Sequence, residues 1–476
     1  MIARVEVHPG RYHDSVRLMQ ASKALQDVAG VSDALVAMAT ELNLSLLEDM
    51  GFDMDAAAGA GPNDLLLAVR AESDAIIATA HAVLDDALTH KVAPSGGLDA
   101  PAAKTVGSAA KVNGANIALL SVPGEHAFVE AMEALDNGQH VMIFSDNVPI
   151  AQEIMLKKHG VAHDLLVMGP DCGTAIVNGL GLGFANAMQP GAVGIVGASG
   201  TGIQQICSLL DDAGVGVRHA LGTGSHDLSE EVGAISTLQA LTALDGDPSI
   251  DVISVVSKPP AAPVADKVRA AAAECTKPVV ITFMGEDTLE DGAGQVLDKL
   301  GQERVAHASW PAPDRPHRPG LVRGLFSGGT LRDDALFVAR PTLGEIGRKE
   351  EDPGHTFIDY GDDEYTQGRA HPMIDQTVRI DRLQAAGQDD SIGVILMDVV
   401  LGYGANANPA QELAPAIEAA VVAGAAVVVS LCGTRGDPQN RDAQAEILRT
   451  AGASVFLSNA AAAAEAARLA TTGGSA

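Results

Sequence analysis

Short, almost continuously apolar runs recur along the chain: IALLSVP (117–123), QHVMIFS (139–145), AVGIVGAS (192–199), DVISVVS (251–257), KPVVITFMG (277–285), IGVILMDVV (392–400) and AAVVVSLCG (425–433). Their length and β-branching predict buried strands, because a sheet covered by helices on both faces accepts apolar side chains at every position. Between them lie amphipathic stretches, HAFVEAMEALDNG (126–138), VADKVRAAAAEC (264–275) and AQELAPAIEAAVVAG (410–424). The first and third end on a Gly that can stop a helix. The alternation predicts α/β layers built from βαβ units with parallel sheets.

Two joints break this pattern: the turn Gln189-Pro190-Gly191, and the proline-dense stretch WPAPDRPHRPG (310–320). They divide the chain into an N-terminal region over 1–190, a second module over 191–310 and a third over 319–470, with RKEEDPGH (348–355) as a loop inside the third. The second and third modules form a weak internal repeat. Each opens on a strand-to-helix turn, Ser199-Gly200-Thr201-Gly202 and then Ser327-Gly328-Gly329-Thr330, and continues through a Gly/Asp-rich segment into strand, helix, strand. Two flavodoxin-like units share that alternation by default, but the paired Ser/Gly/Thr turns favour true repetition.

Composition narrows the chemistry. Lys and Arg number 31 against 61 Asp and Glu, a formal charge of −30. That argues against nucleic acid as a partner, and it means that a small anionic substrate needs a local nest of N–H groups or arginines. The 4 cysteines, Cys172, Cys207, Cys275 and Cys432, show no C-x-x-C spacing, so neither a disulfide framework nor a metal site is expected. Cys172 reads as packing. No apolar leader opens the chain, and the longest apolar run, Ala419 to Cys432, is shorter than the ~20 residues that span a bilayer, so a cytoplasmic protein without membrane contact is expected.

Three stretches carry candidate chemistry. In GIVGASGTGIQQICSLL, the residues Ser199, Gly200, Thr201 and Gly202 open a helix whose first N–H groups would cradle an anion, or they form a tight turn that merely lets helix and strand pack. In LMDVVLGYGANANP, the residues Gly402, Gly404 and Asn406 precede a second helix start with N–H groups pointing outward, and Asp398 ends the preceding strand, either as a ligand contact or as a turn cap. The loop DYGDDEYTQGRAHPMID crowds charges beside Arg369, able to fork onto a carboxylate or phosphate, and His371, able to act as acid, base or donor; the bland reading is a solvated acidic loop. Arg435 stands just past the last buried strand as a further cation.

These strings resemble known sequences. VPGEHAFVEAMEALDNGQHVMIFSDNVP with MGPDCG, and then GIVGASGTG, are similar to the succinyl-CoA synthetase α-subunit; HTFIDYGDDE, VILMDVVLGYGA and VVVSLCGTRG are similar to the carboxy-terminal domain of its β-subunit. Through YHDSVRLM, GPNDLLLAV, HDLSEEVG, RGLFSGGTL and GDDEYTQGRAHPMID the chain resembles the FdrA family over nearly its whole length. The resemblance implies a Rossmann-like CoA-binding-type domain followed by two flavodoxin-like succinyl-CoA-synthetase-type domains. It also implies an oxamate carbamoyltransferase subunit of allantoin degradation, working with further subunits in a homo- or hetero-oligomer, with carbamoyl phosphate as substrate and no cofactor required. On that reading phosphate sits at Ser199–Gly202 and Gly402–Asn406, and Ser327, Gly328, Gly329 and Thr330 line the substrate. Arg369 or Arg435 holds the oxamate carboxylate, and His371 or Asp398 removes a proton. Two alternatives stand beside it: an acyl-CoA synthetase-like CoA-binding protein, and a scaffold subunit. The synthetase's histidine turn is replaced by DTLEDGAGQVL (287–297), and no histidine lies between His226 and His307, so phosphohistidine chemistry and ATP use are not expected.

Overall fold

Every apolar run named above forms a strand in the computed structural model, which describes the chain except residues 12, 14, 90–102, 314–315, 367–369 and 473–476. The chain divides into two units, residues 1–102 with 363–370, and residues 103–362 with 371–476. The first unit runs β1 (Ile2–His8), α1 (Ser15–Gln26), β2 (Val31–Met38), α2 (Glu41–Asp49), β3 (Leu65–Ala71) and α3 (Asp74–Thr89). Its sheet has the order β1-β3-β2 with both pairings antiparallel. Leu18, Leu25, Leu67, Val69, Ile77 and Leu84 join α1 and α3 to one face, while Leu47, Phe52 and Ala68 fill the other.

The second unit begins with α4 (Val106–Asn113), β4 (Ile117–Leu120), α5 (Gly124–Asp136), β5 (His140–Ile143), α6 (Ile150–Ala162) and β6 (Val167–Met168), whose strands form a small parallel sheet. After the hairpin β7 (Thr174–Val177) and β8 (Leu180–Gly183) come β9 (Val193–Ala198), α7 (Gly200–Asp212), β10 (Val217–Gly222), α8 (Ile235–Gly246), β11 (Val252–Ser257), α9 (Ala262–Glu274), β12 (Val279–Phe283) and α10 (Leu289–Leu300). Their sheet has the order β12-β11-β9-β10-β7-β8.

The last stretch supplies β13 (Ser309–Trp310), β14 (Leu321–Phe326), α11 (Gly329–Leu343), β15 (Ile346–Gly347), β16 (His355–Asp359), α12 (Asp363–Thr366, part of the first unit), α13 (Thr377–Gln388), β17 (Ile392–Val400), α14 (Pro409–Val422), β18 (Ala426–Cys432), α15 (Arg441–Thr450), β19 (Ser454–Phe456) and α16 (Asn459–Thr472). The order is β13-β19-β18-β17-β14-β16-β15. In the second module β9 is flanked by β10 on one side and by β11 and then β12 on the other; in the third, with the two-residue β15 set aside, β14 is flanked in the same way by β16 and by β17 and then β18, all of these pairings parallel. The repeat anticipated from the paired turns is therefore topological as well.

One core runs through both modules: Ile203, Ile206 and Leu210 of α7, Leu331 and Ala335 of α11, and Ala462 and Ala466 of α16 belong to it. The pattern of α7 reads as amphipathic, yet Thr201 through Leu210 are all buried. Its glutamines donate across the module boundary, Gln205 Nε2 to Leu457 O at 2.8 Å and Gln204 Nε2 to Leu401 O at 3.3 Å, while both amide oxygens are buried without a partner among the described residues. Among the described residues no helix is long and apolar enough to cross a membrane.

Candidate functional site

The two Ser/Gly/Thr turns meet. Ser199 caps α7, its Oγ accepting the Gly202 N–H at 3.0 Å, and the same oxygen lies 2.5 Å from Thr330 Oγ1 in the first turn of α11. Gly328 is required at this contact, because a side chain there would come within 2.6 Å of the Thr201 methyl. Two helix N-termini thus converge at the carboxyl ends of β9 and β14. Their first N–H groups have no partner within their helices and their dipoles present partial positive charge together, which suits an anion.

Asp398, at the carboxyl end of β17, is fully buried and holds the second turn. Its carboxylate accepts the Ser327 N–H at 2.9 Å, the Ser327 hydroxyl at 2.8 Å and the Gly328 N–H at 3.0 Å, and it contacts Arg379 Nη1 at 2.5 Å. Burial pushes the Asp398 carboxyl up and the Arg379 guanidinium down, each opposed by the other's charge. With its oxygens occupied by these donors, Asp398 has the turn-capping geometry, the second of the two readings its sequence position allows.

His371 lies on the same edge. Its ring stacks obliquely on Phe184 with centroids 5.8 Å apart, and Nδ1 accepts the Met373 N–H at 3.2 Å, which leaves the proton of the neutral ring on Nε2. Gly361 fits between the Ser327 carbonyl and this ring only because it lacks a side chain. Removal from water, with the Arg379 charge added, lowers the His371 pKa to about 4, so the ring is neutral at neutral pH.

Other sequence candidates fall elsewhere. The loop of Gly402, Gly404 and Asn406 does not direct its N–H groups outward. Gly402 N–H donates to Gln439 Oε1, Tyr403 N–H to Ala185 O, Asn406 N–H to Met373 O and Asn408 N–H to Asn406 Oδ1. The loop is locked onto residues 183–186, with Gly402 and Gly404 at φ +125° and +75°. Arg435 pairs with Asp212 at 3.0 Å at the carboxyl end of α7, so the helix length, about 20 Å at 1.5 Å per residue, separates it from Ser199. Burial works to raise the Asp212 carboxyl, but His307, the Ala308 N–H and Arg441 outweigh it and hold it at about 2. Arg369 lies outside the described residues. Cys172 is buried, its thiol pushed up to about 12 by desolvation, consistent with packing.

Sequence reasoning missed Lys258, just past β11, and gave Asp359, the last residue of β16, no individual role. Both close on Gly329: a side-chain carbon there would meet Asp359 Oδ2 at 2.4 Å and Lys258 Nζ at 3.2 Å. Position at a strand's carboxyl end is the signal that could have singled them out.

Against this geometry the relatives can be placed. Residues 1–104 match the AllF heavy-metal-associated domain, 188–285 the CoA-binding domain and 325–469 the CoA-ligase domain. YahF of Escherichia coli (strain K12) is 36% identical over 496 residues, 95% of each chain. The α-subunit of malate–CoA ligase from Methylorubrum extorquens is 26% identical over 33% of this chain, which spans 55% of that subunit. Succinate–CoA ligase [ADP-forming] subunit alpha 1 from Archaeoglobus fulgidus is 24% identical over 50% of this chain and 73% of its own. The structure of ATP citrate lyase from Methanothrix soehngenii, in complex with citrate and coenzyme A, is 21% identical with a TM-score of 0.33, covering 38% of this chain and 32% of that one.

Fold and matched segments define a CoA-ligase-like α/β protein, with the succinyl-CoA-synthetase-like character that the sequence strings imply. Within that class the chain belongs to the family that includes YahF. The carbamoyltransferase assignment is overturned: the family models matched over the two flavodoxin-like modules are a CoA-binding and a CoA-ligase domain, the matched ligase subunits belong to CoA ligases, and nothing in them supports oxamate or carbamoyl phosphate as substrate.

The description of the first model implies a metal, and the donors do not fit one. No cysteine occurs before Cys172, and among the described residues no three His, Cys, Asp or Glu side chains are grouped to hold an ion. A soft heavy metal is best held by thiolates, which this segment does not contain, so no step is derived through it.

Proposed function

We propose that this protein is an acyl-CoA synthetase/ligase-like protein that binds CoA or its thioesters, with an anionic group of the ligand at the joined starts of α7 and α11. The observation that carries the reading is the Ser199–Thr330 contact, which brings the helix start of the CoA-binding segment against that of the CoA-ligase segment. Two helix dipoles then act together, in a chain whose overall charge of −30 would otherwise repel an anion. Asp398, Ser327 and Arg379 fix the second turn in place, and the neutral His371 borders it. A phosphohistidine route has no acceptor in residues 227–306, so the reading assigns direct chemistry on the acyl group rather than a phosphorylated side chain in that stretch.

Calorimetric titration of the whole protein with CoA tests this. Gly200 is the residue to change, since a side-chain carbon there stands at the helix start, 3.2 Å from Thr174 Oγ1, and the buried Thr174 must give way slightly. Binding by the wild type and at least a tenfold loss in Gly200→Leu, still folded by thermal unfolding, is expected. Equal affinity in both would move the ligand away from this turn.

A further inference from the structure

Asp359 combines features that packing does not require. It is 6% exposed, its Oδ1 accepts the Gly361 N–H at 3.0 Å, and among the described residues no donor reaches Oδ2. That oxygen is aimed at the first turn of α11, over the bare Cα of Gly329. Lys258 approaches the same glycine from the end of β11, is exposed, and makes no hydrogen bond or ion pair with a described residue. Oδ2 is not fully enclosed, so this carboxylate oxygen opens to solvent at the helix start, where a ligand can reach it. The flanking charges are mixed: Lys258 and Arg332 favour the ionised form, Asp398 opposes it, and burial dominates, raising the Asp359 pKa to about 6. At neutral pH the group is then mostly ionised yet more basic than an ordinary aspartate, which suits a nucleophile.

We propose that Asp359 is the carboxylate nucleophile of an acyl-transfer step on acyl-CoA thioesters, with Lys258 and the first N–H groups of α11 as its electrostatic support. The step rests on the CoA-thioester reading above. Oδ2 forms a bond to the thioester carbonyl carbon, and the developing oxyanion faces the Lys258 ammonium and the helix start. Collapse breaks the C–S bond, CoA leaves as the thiolate and takes a proton from solvent, and an acyl-aspartyl anhydride remains. Water then attacks the acyl carbon and gives up its protons to solvent, releasing the acyl group as its carboxylate and restoring the Asp359 carboxylate. No electrons change hands and no phosphate is consumed. Gly329 has a specific part, since any side chain there would stand between the carboxylate and the helix start.

The test uses the full chain with acetyl-CoA and succinyl-CoA, one neutral and one anionic acyl group. Wild type should release CoA in a burst stoichiometric with protein and gain the acyl mass on the peptide containing Asp359, lost on treatment with hydroxylamine. Asp359→Asn keeps the bond from Gly361 and should label at under a hundredth of the wild-type level, with CoA affinity within threefold. Lys258→Ala, which leaves the carboxylate untouched, should label at least tenfold more slowly and stands in if the first variant does not fold. Wild type that binds CoA but acquires no label from either thioester, or label that persists in Asp359→Asn, overturns the nucleophile and leaves the CoA reading standing. Wild type that neither binds CoA nor releases it overturns both.

Discussion

Two side chains of the candidate site, and one buried in α11, sit in surroundings that change what they can do at a given pH. His371 has its pKa lowered to about 4, whereas Asp359 and the buried Asp334, which accepts the Leu289 N–H at 3.0 Å and an Asn459 amide hydrogen at 2.8 Å, are both raised to about 6, in each case chiefly by burial. The signs oppose one another. For His371 the folded state prefers the neutral ring, so its contribution is complete above pH 6.5 and is lost as pH falls from 6.5 towards 4. For the two aspartates the folded state holds the proton more tightly, so their contribution is complete below pH 3.8 and is lost as pH rises through about 6. Two aspartates outweigh one histidine, so these groups together should leave the wild type more stable at pH 4.5 than at pH 6.5, by roughly the contribution of one aspartate. Urea denaturation of His371→Gln should differ from wild type by an amount that shrinks as pH drops through that window, by at most about 3 kcal/mol. A difference independent of pH would mean that the ring titrates alike in both states.

At the scale of elements, the decisive feature is that α7 and α11 begin against one another. Ser199 caps its own helix and contacts Thr330 of the other, so the two turns are one hydrogen-bonded unit. Ser199→Ala should cost about 1–2 kcal/mol through the lost cap and Thr330→Val about 0.5–1.5 kcal/mol through the lost partner. Because the contact can be broken only once, the double variant should lose about 1 kcal/mol less than the two separately, measured by thermal or urea unfolding. Strict additivity would mean that the helix starts are independent. The N-cap and the strand before it are legible in GIVGASGTG, since both are local properties of the string. The partner is not, because Thr330 lies 131 residues away and only the folding of both modules brings it there. The loop after β17 illustrates the reverse case. Its glycines and asparagines have the residue types of an anion loop, but its N–H groups are taken by Gln439, Ala185 and Met373, none adjacent in sequence.

At the scale of the molecule, a net charge of −30 sets the long-range field. CoA is itself an anion, so its approach is opposed until it comes within reach of the helix starts and Lys258. Screening shortens that repulsion: the Debye length falls from about 30 Å at 0.01 M salt to about 10 Å at 0.1 M. The CoA association rate measured by stopped flow should therefore rise over this range, unlike that of a site whose field is attractive. A rate that falls with salt would place the binding surface in a basic region, contrary to the proposed position.

The sequence by itself determined the parallel α/β modules, their repeated topology and the local form of the turns at Ser199 and Ser327. Buried strands need unbroken apolar runs and helix starts need particular small residues, and both requirements are written into neighbouring positions. Tertiary structure decided what depends on distant atoms. It buried α7 on every side and matched its glutamines to carbonyls in the third module. It turned Asp398 into the clamp of a turn through Arg379, a pairing across 19 positions that no local pattern marks. It paired β1, β3 and β2 into an antiparallel sheet of their own, and it set Asp359 and Lys258 over one glycine, where burial rather than residue type gives Asp359 its chemistry.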